Sequence, residues 1–143
     1  MRCALRLDPR FRFALYAAFA FLFATGVGWL VADQMMKETS GSETWQAAAS
    51  YLLMLHGGAA MATLMLLGAL VPLHMRRGWL ARRNRTTGTA MAACNAIFIL
   101  TAFGLYYLGS DTLRPWTSDI HIGAGLILPI LLCVHILVGR RSS

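Results

Sequence analysis

Acidic residues and cysteines are scarce in this sequence, and it has no motif typical of a soluble enzyme. The three cysteines, Cys3, Cys94 and Cys133, form no CxxC or CxxCH pattern, so neither a zinc ribbon nor covalent haem attachment is indicated. We interpret them as packing residues. There is no nucleotide-binding motif and no segment with the composition of a soluble catalytic domain. Any enzyme activity would therefore depend on a bound cofactor.

Long hydrophobic runs dominate the sequence instead. Of its 143 residues, 57% are hydrophobic, and four runs reach the length of about 20 apolar residues that a membrane-spanning helix requires. These runs cover residues 11–32, 46–73, 87–109 and 117–139. The sequence therefore predicts an all-α integral membrane protein, a four-helix bundle formed by a single domain over residues 1–143. Ser118 or Asp119 is expected to cap the fourth helix, and Pro129 to bend it.

The basic residues are distributed unevenly between the two ends of these helices. Eleven of the 13 lie before helix 1 or at its first residues, between helices 2 and 3, or after helix 4. By the positive-inside rule, these segments and both termini are cytoplasmic, and the topology is up-down-up-down. The net charge of +7 is thus a topology signal that also favours contact with anionic membrane lipid, and it does not indicate nucleic acid. The eleven residues are Arg2, Arg6, Arg10, Arg12, Arg76, Arg77, Arg82, Arg83, Arg85, Arg140 and Arg141.

The four histidines of the chain lie on helices 2 and 4. His121 and His135 on helix 4 are 14 residues apart, about 40° short of four full turns. His56 and His74 on helix 2 are 18 residues apart, which is five full turns. Each pair therefore lies on nearly one helix face. Depth measured from the basic cytoplasmic end of each helix puts His56 level with His121, and His74 level with His135.

Two imidazoles at one level form a suitable pair of axial ligands for haem iron, and an ionisable residue within a span marks a function by default. The arrangement predicts two non-covalently bound b haems, an outer one on His56 and His121 and an inner one on His74 and His135. The same histidines could instead form interhelical hydrogen bonds, and His74 could be an interfacial residue. Zinc or iron without porphyrin is disfavoured, because each level offers two nitrogens and no carboxylate or thiolate.

Glycines and arginines near these levels extend the candidate cofactor site. Gly26 on helix 1 and Gly104 on helix 3 lie near the outer ends. Their missing side chains leave room either for close helix packing or for the flat face of a cofactor. Haem propionates are anionic, so basic residues at each end are candidate partners. They are Arg76, Arg77 and Arg82 on the inner side, and Arg114 and Lys37 on the outer side.

The segment WTSDIHIGAGLILPILLCVHILVG, residues 116–139, resembles the last helix of small bacterial four-helix membrane cytochromes b, of the cytochrome b561 and hydrogenase cytochrome b-subunit type. The resemblance covers helices 2 to 4, and helix 1 lacks the histidine found in many bacterial b561 proteins. It implies a di-haem electron carrier, multi-pass in the bacterial inner membrane, with quinone, quinol or a redox partner protein at one or both faces. The oligomeric state, whether a homodimer or a larger complex, is left open.

Transmembrane electron transfer between two b haems is the function that these features predict, and quinone-linked oxidoreductase activity is left open. A second hypothesis is a non-catalytic membrane anchor or assembly subunit of a respiratory complex without its own haem, whose histidines serve packing. A metal or proton carrier is a third, disfavoured because the spans contain no carboxylate that could form a relay with the histidines. Haem absorption distinguishes the first hypothesis from the second.

Overall fold

The structure is a computed structural model that describes residues 7–82 and 84–141. All regular structure in these residues is helical, which confirms the all-α class. Four helices in them are long and apolar enough to cross a membrane, which confirms the four-helix membrane architecture. The predictions for Arg2, Cys3, Arg6 and Arg83 concern positions outside the described residues.

The helices follow one another with short connections. Helix α1 covers Pro9–Glu38, α2 covers Glu43–Leu70, a π-helical segment covers Val71–Met75, α3 covers Arg76–Leu80, α4 covers Arg85–Tyr107 and α5 covers Leu113–Arg141. The second candidate span, Glu43–Leu80, comprises α2, the π segment and α3 together. The helical part of this region thus extends beyond the predicted end at residue 73.

Helix α1 is longer at both ends than the apolar run that predicts it. The Asp8 carboxylate caps it by accepting hydrogen bonds from two backbone N–H groups of the first turn, at 2.9 and 3.3 Å. Proline fits at Pro9, where its missing N–H would have no helical partner anyway. At the other end, residues 33–38 continue the helix and contain an ion pair of 2.6 Å between Lys37 and Asp33. An apolar run marks only the part of a helix inside the bilayer, so it underestimates the length of a helix that has polar ends.

Helix α5 begins four residues before the predicted start, at Leu113. Ser118 and Asp119 therefore lie inside the helix, and the prediction that one of them caps it is wrong. Capping occurs earlier, where the Ser110 hydroxyl accepts a hydrogen bond from the backbone N–H of Leu113 at 3.3 Å. The polar loop before α5 contains more than one residue suited to capping, so the edge of the apolar run selects the wrong one. The helix continues through Pro129.

The chain divides after His74 into two compact units. The first unit contains α1, α2 and the π segment up to His74, and the second contains α3, α4 and α5. In the first unit, the Thr25 hydroxyl contacts His56, and a Cβ added to Gly28 would lie 3.2 Å from Leu52. Thr25 lies farther than Gly28 from the loop that connects α1 and α2, and its partner His56 lies farther from that loop than Leu52. Helices α1 and α2 therefore run antiparallel.

Helices α4 and α5 form a second antiparallel pair within their unit. Thr101 contacts His121, and Thr87, nearer the start of α4, contacts His135, nearer the end of α5. Thr87, Cys94 and Thr101 are spaced by seven residues, which puts them on one side of α4. Cys94 and Thr101 are buried. This heptad stripe is the face of α4 that packs on α5.

Large apolar side chains are exposed on both units. Leu100 is 71% exposed and Met65 is 75% exposed. Apolar surface of this extent is costly in water, at about 25 cal/mol per Å², whereas in a bilayer it contacts acyl chains. Buried residues include Thr25, Thr63 and Thr101. The surface is thus suited to membrane lipid, while hydroxyl groups occupy part of the helix contacts.

Candidate functional site

All four histidines lie within the candidate spans, and all four rings are half-buried. His56 is in α2 and His74 is in the π segment, so both belong to the first unit. His121 and His135 are in α5 and belong to the second unit. Each unit therefore carries two imidazoles within its apolar helices.

The His56 ring is held by α1. Its Nδ1 lies 3.0 Å from Oγ1 of Thr25 and 3.1 Å from the carbonyl oxygen of Leu22. The Thr25 hydroxyl lies 2.8 Å from the Phe21 carbonyl, to which it donates. Because a carbonyl oxygen only accepts, Nδ1 is the donor and carries the ring proton. The lone pair of the neutral ring is then on Nε2.

His121 has the same arrangement with α4. Its Nδ1 lies 2.8 Å from Oγ1 of Thr101, and the Thr101 hydroxyl donates to the Ile97 carbonyl at 2.7 Å. Donation of the single hydroxyl proton to its own helix leaves the Thr101 oxygen to accept from His121, an arrangement that favours Nδ1 as the donor. The Phe98 ring stands edge-on to the imidazole, with centroids 5.3 Å apart. This hydrogen bond and this aromatic contact both help to fix the ring.

His135 contacts the opposite end of α4. Its Nδ1 lies 3.0 Å from Oγ1 of Thr87. The Thr87 hydroxyl is 3.5 Å from the Asn84 carbonyl, a longer contact with its own helix than at the other two threonines. A Cβ added to Gly88 would lie 3.9 Å from Cε1 of His135, which is ordinary van der Waals contact. His135 is therefore held as His121 is, but against a less tightly fixed hydroxyl.

The threonines are functional candidates that the sequence reasoning missed. Thr87 and Thr101 are 14 residues apart, as are His121 and His135. Equal spacing on two antiparallel α-helices allows both hydrogen bonds to form at once, because both partners advance by the same length and rotation. This matched spacing is the signal in the sequence that could have identified them.

Gly26 and Gly104 both lie at close contacts within their own units. A Cβ added to Gly26 would be 3.3 Å from Cε1 of His56, so this glycine makes room for the imidazole. A Cβ added to Gly104 would be 3.1 Å from Cγ2 of Thr117, which is a helix-packing contact. Gly26 and Gly88 each directly follow a histidine-bonding threonine. Cofactor contact at Gly26 or Gly104 stays a prediction.

His74 lies in the π-helical segment Val71–Met75. The i→i+5 pattern takes one more residue per turn than an α-helix, and the segment includes Pro72, which has no N–H to offer to a regular ladder. The prediction that His56 and His74 share a face assumed an uninterrupted α-helix. With the π segment between them, His74 is rotated from that face by up to about 100°, the angle of one residue. Single π turns within helices occur frequently at functional sites.

Arg76 and Arg114, the predicted propionate partners, are exposed side chains. Arg76 is the first residue of α3, two positions after His74. Arg114 lies in the first turn of α5, seven residues before His121. Seven residues make nearly two turns, so Arg114 and His121 lie on one side of the helix, about 10 Å apart along its axis. Their role toward propionates stays a prediction.

Residues 7–82 and 84–141 contain no group of three or more His, Cys, Asp or Glu side chains that could hold a metal ion. Cys94 is a buried free thiol and Cys133 an exposed one. A structural zinc site needs four protein ligands together. Separate imidazoles instead suit a group that supplies most ligands of its own metal, as a porphyrin does for iron. The donor set of the described residues therefore fits haem.

The resemblance to small membrane cytochromes b rests on the histidines and on the segment 116–139. Comparison of the chain with protein-family models, curated proteins and solved structures gives no match.

Proposed function

We propose that this protein is a multi-pass membrane cytochrome of b type, which carries electrons across the bacterial inner membrane through two non-covalently bound b haems. The observation that carries the proposal is the common environment of His56, His121 and His135. Each is half-buried within a candidate span, and each contacts a threonine hydroxyl through Nδ1. Haem b, when bound, supplies a one-electron iron couple.

The choice of ring nitrogen supports ligation. A hydrogen bond that serves only to join two helices can use either imidazole nitrogen. Ligation through Nε2 requires the proton on Nδ1, and ligating histidines almost always donate that second N–H to an acceptor. At His56 the Leu22 carbonyl can only accept from Nδ1, and at His121 donation by Thr101 to the Ile97 carbonyl favours the same proton position. These contacts support the tautomer that an Nε2 ligand needs.

The pairing of the ligands comes from depth along the sequence. His56 and His121 lie 20 and 19 residues from the basic cytoplasmic end of their spans, about 30 Å in each case. We therefore pair His56 with His121 for an outer haem, and His74 with His135 for an inner one. Bis-histidine ligation fills both axial positions, which favours electron transfer over oxygen chemistry.

The other residues of the chain have supporting tasks in this proposal. The threonines orient the imidazoles, and the apolar spans exclude water and ions from the electron path. Arg76 on the inner side and Arg114 on the outer side provide positive charge for propionates. Both termini are cytoplasmic by the positive-inside rule. Electrons are exchanged with quinone, quinol or a redox partner protein at one or both faces.

A membrane anchor or assembly subunit without haem is the second candidate. The same threonine–histidine contacts support it, because each joins two helices of one unit. Hydrogen bonds of this kind stabilise membrane helix pairs by about 0.6 kcal/mol on average. The anchor needs neither a particular tautomer nor a particular depth, and it would be colourless.

Haem content of the protein purified in mild detergent tests the proposal. Reduced-minus-oxidised spectra should give two haems per chain, and His121→Ala and His74→Ala should each lose one. His121→Gln is a matched variant, since its amide can still donate to Thr101 but is a poor ligand for haem iron. We expect it to keep the helix content of the parent, measured by circular dichroism, and still lose one haem.

Three outcomes separate the alternatives. Loss of haem in His121→Ala alone would leave His74 as an interfacial residue and exclude a two-haem path. A folded protein without Soret absorption, even when expressed with added haem, would contradict the proposal and favour the anchor. Full haem content in His121→Gln would contradict the assignment of this ligand.

A further inference from the structure

We propose that Thr25, Thr87 and Thr101 are positioning residues, which contribute to the selection of the ligating nitrogen of the histidines they contact, Thr25 together with the Leu22 carbonyl, and which adjust its electron donation. The selection of the nitrogen follows from hydrogen bonds within each unit. The adjustment of electron donation rests on the proposed function.

The selection depends on where each hydroxyl proton points. A threonine hydroxyl has one proton to donate, and its oxygen can accept. The Thr101 proton is directed to the Ile97 carbonyl at 2.7 Å, which leaves the oxygen as an acceptor 2.8 Å from Nδ1 of His121. Turning the hydroxyl proton toward His121 would break the bond to the helix carbonyl. As long as the bond to the helix carbonyl is kept, the hydroxyl is an acceptor toward His121 and favours the tautomer with the lone pair on Nε2.

The same bond affects the electronic character of the ligand. An acceptor at Nδ1–H raises the electron density that the imidazole offers through Nε2. A more strongly donating axial ligand stabilises ferric iron relative to ferrous iron, so it lowers the midpoint potential. A neutral hydroxyl is a weaker acceptor than a carboxylate. The threonines therefore lower the potential moderately while the rings stay neutral imidazoles.

The three sites differ in the acceptors around Nδ1. At His56 the Leu22 carbonyl accepts at 3.1 Å in addition to Thr25. The contact of His121 with Thr101 is the shortest of the three, at 2.8 Å. The Thr87 hydroxyl is less tightly fixed to its own helix, by a contact of 3.5 Å. We infer that removing the hydroxyl acts most strongly at Thr101, less at Thr87 and least at Thr25.

Nitrogen-15 NMR of the full-length chain in haem-free form in detergent micelles tests the selection, because without iron on Nε2 the tautomer of each histidine depends on its hydrogen bonds. We expect the Nδ1–H form at His56 and His121. Thr101→Val should convert His121 to a mixture of tautomers, and Thr101→Ser should restore the single form. Thr63→Val is the matched control, since Thr63 is also buried but its hydroxyl donates to the Ala59 carbonyl at 2.8 Å.

Redox titration of the haem-loaded protein tests the adjustment. Thr101→Val should raise the midpoint potential of one haem, Thr101→Ser should return it to the parent value, and Thr63→Val should leave both potentials unchanged. Thr25→Val should give a smaller rise than Thr101→Val, because the Leu22 carbonyl still accepts from His56. The number of haems should stay at two in every variant.

The outcomes distinguish this inference from the proposed function. An Nε2–H tautomer at His121 in the parent protein would overturn the inference. An unchanged tautomer and an unchanged potential in Thr101→Val would also overturn it, since the hydroxyl would then have no role beyond packing. A protein that binds no haem when haem is supplied, but has the Nδ1–H form at His121, would contradict the proposed function, while the selection of the nitrogen by threonine would stand.

Discussion

The two units hold their histidines on helices of different regularity. In the second unit, two threonines of α4 and two histidines of α5 share a 14-residue spacing, and both helices are α-helical between them. In the first unit, α1 provides Thr25 for His56, and the chain changes to π geometry before His74. A pair of regular helices can repeat one contact at two depths. In a helix with a π turn, the side chains after the turn are rotated relative to those of an uninterrupted α-helix.

Proline alone does not produce this difference. Pro72 lies in the π segment, whereas Pro129 lies within α5, which stays α-helical through it. In α5 the matched spacing ties His121 and His135 to α4 on both sides of the proline. Our hypothesis is that repeated contacts with a neighbouring helix keep a proline-containing helix in register. The predictions below test this difference between the units.

One alanine inserted after Leu126 should have the largest effect, because it falls between His121 and His135. It rotates one histidine by about 100° relative to the other, so only one of the two threonine–histidine bonds can form. A buried polar group that loses its hydrogen bond costs about 1–3 kcal/mol. We expect a lower unfolding temperature in detergent, measured by circular dichroism, and the loss of one haem.

Deletion of Val71 is the matching change in the first unit. Because a π turn takes one more residue than an α turn, the deletion can be absorbed by conversion to a regular α-helix. The unfolding temperature should therefore fall less than with the α5 insertion. An alanine inserted after Gly109, in the connection between α4 and α5, is the control. Equal losses from both insertions would mean that the 14-residue spacing has no role.

Gly26→Ala and Gly88→Ala should change the free energy of unfolding in opposite directions. The new Cβ would lie 3.3 Å from His56 but 3.9 Å from His135. Overpacking costs about 1–3 kcal/mol, while replacing a helical glycine by alanine gains about 1 kcal/mol. We expect Gly26→Ala to lower the free energy of unfolding and Gly88→Ala to raise it, in denaturant titrations of the detergent-solubilised protein.

Gly57→Ala provides the reference for the glycine comparison, since a Cβ there would meet nothing within 4 Å. Its change in unfolding free energy measures the helix-propensity gain alone. If Gly26→Ala stabilised the protein as much as Gly57→Ala, the close approach of His56 to α1 would be disproved.

The smallest effects should come from the exposed polar contacts of the two units. Asp33→Asn removes the 2.6 Å ion pair with Lys37, and such i,i+4 pairs contribute about 0.3–0.5 kcal/mol. Arg85→Gln removes a guanidinium that donates to the Trp79 carbonyl and lies 4.8 Å from the Trp79 ring centroid. An exposed cation–π contact contributes about 0.5–1 kcal/mol. Thermal unfolding should therefore rank Arg85→Gln as slightly more destabilising, and the reverse order would contradict this ranking.

The number and class of the helices could be predicted because the length of an apolar run reflects the thickness of the bilayer. The positions at which the helices begin and end could not be predicted. Residues 33–38 are polar and helical, and the loop before α5 offers several capping residues. The π segment could not be predicted either, because an angle derived from residue spacing presupposes α-helical geometry.

The histidines of the candidate site could be predicted, whereas their threonine partners could not. Histidine is rare within a membrane span, so its position alone predicts a functional site. Threonine is common in membrane helices and can satisfy its hydroxyl on its own helix, as Thr63 does with Ala59. Thr101 stands out only when the register of α4 against α5 is known. That register depends on packing along both helices.

Because α1 has a polar end, the thickness of the bilayer affects how much of this helix is exposed to water. The 30 residues of α1 extend about 45 Å, against about 30 Å of hydrocarbon. Asp33 begins the polar end, about 12 Å along the axis from Thr25. A thinner bilayer leaves more of this end in water, and a thicker one draws it toward the headgroups. Lipid composition would therefore set how far the turn at residues 39–42 stands from the membrane surface.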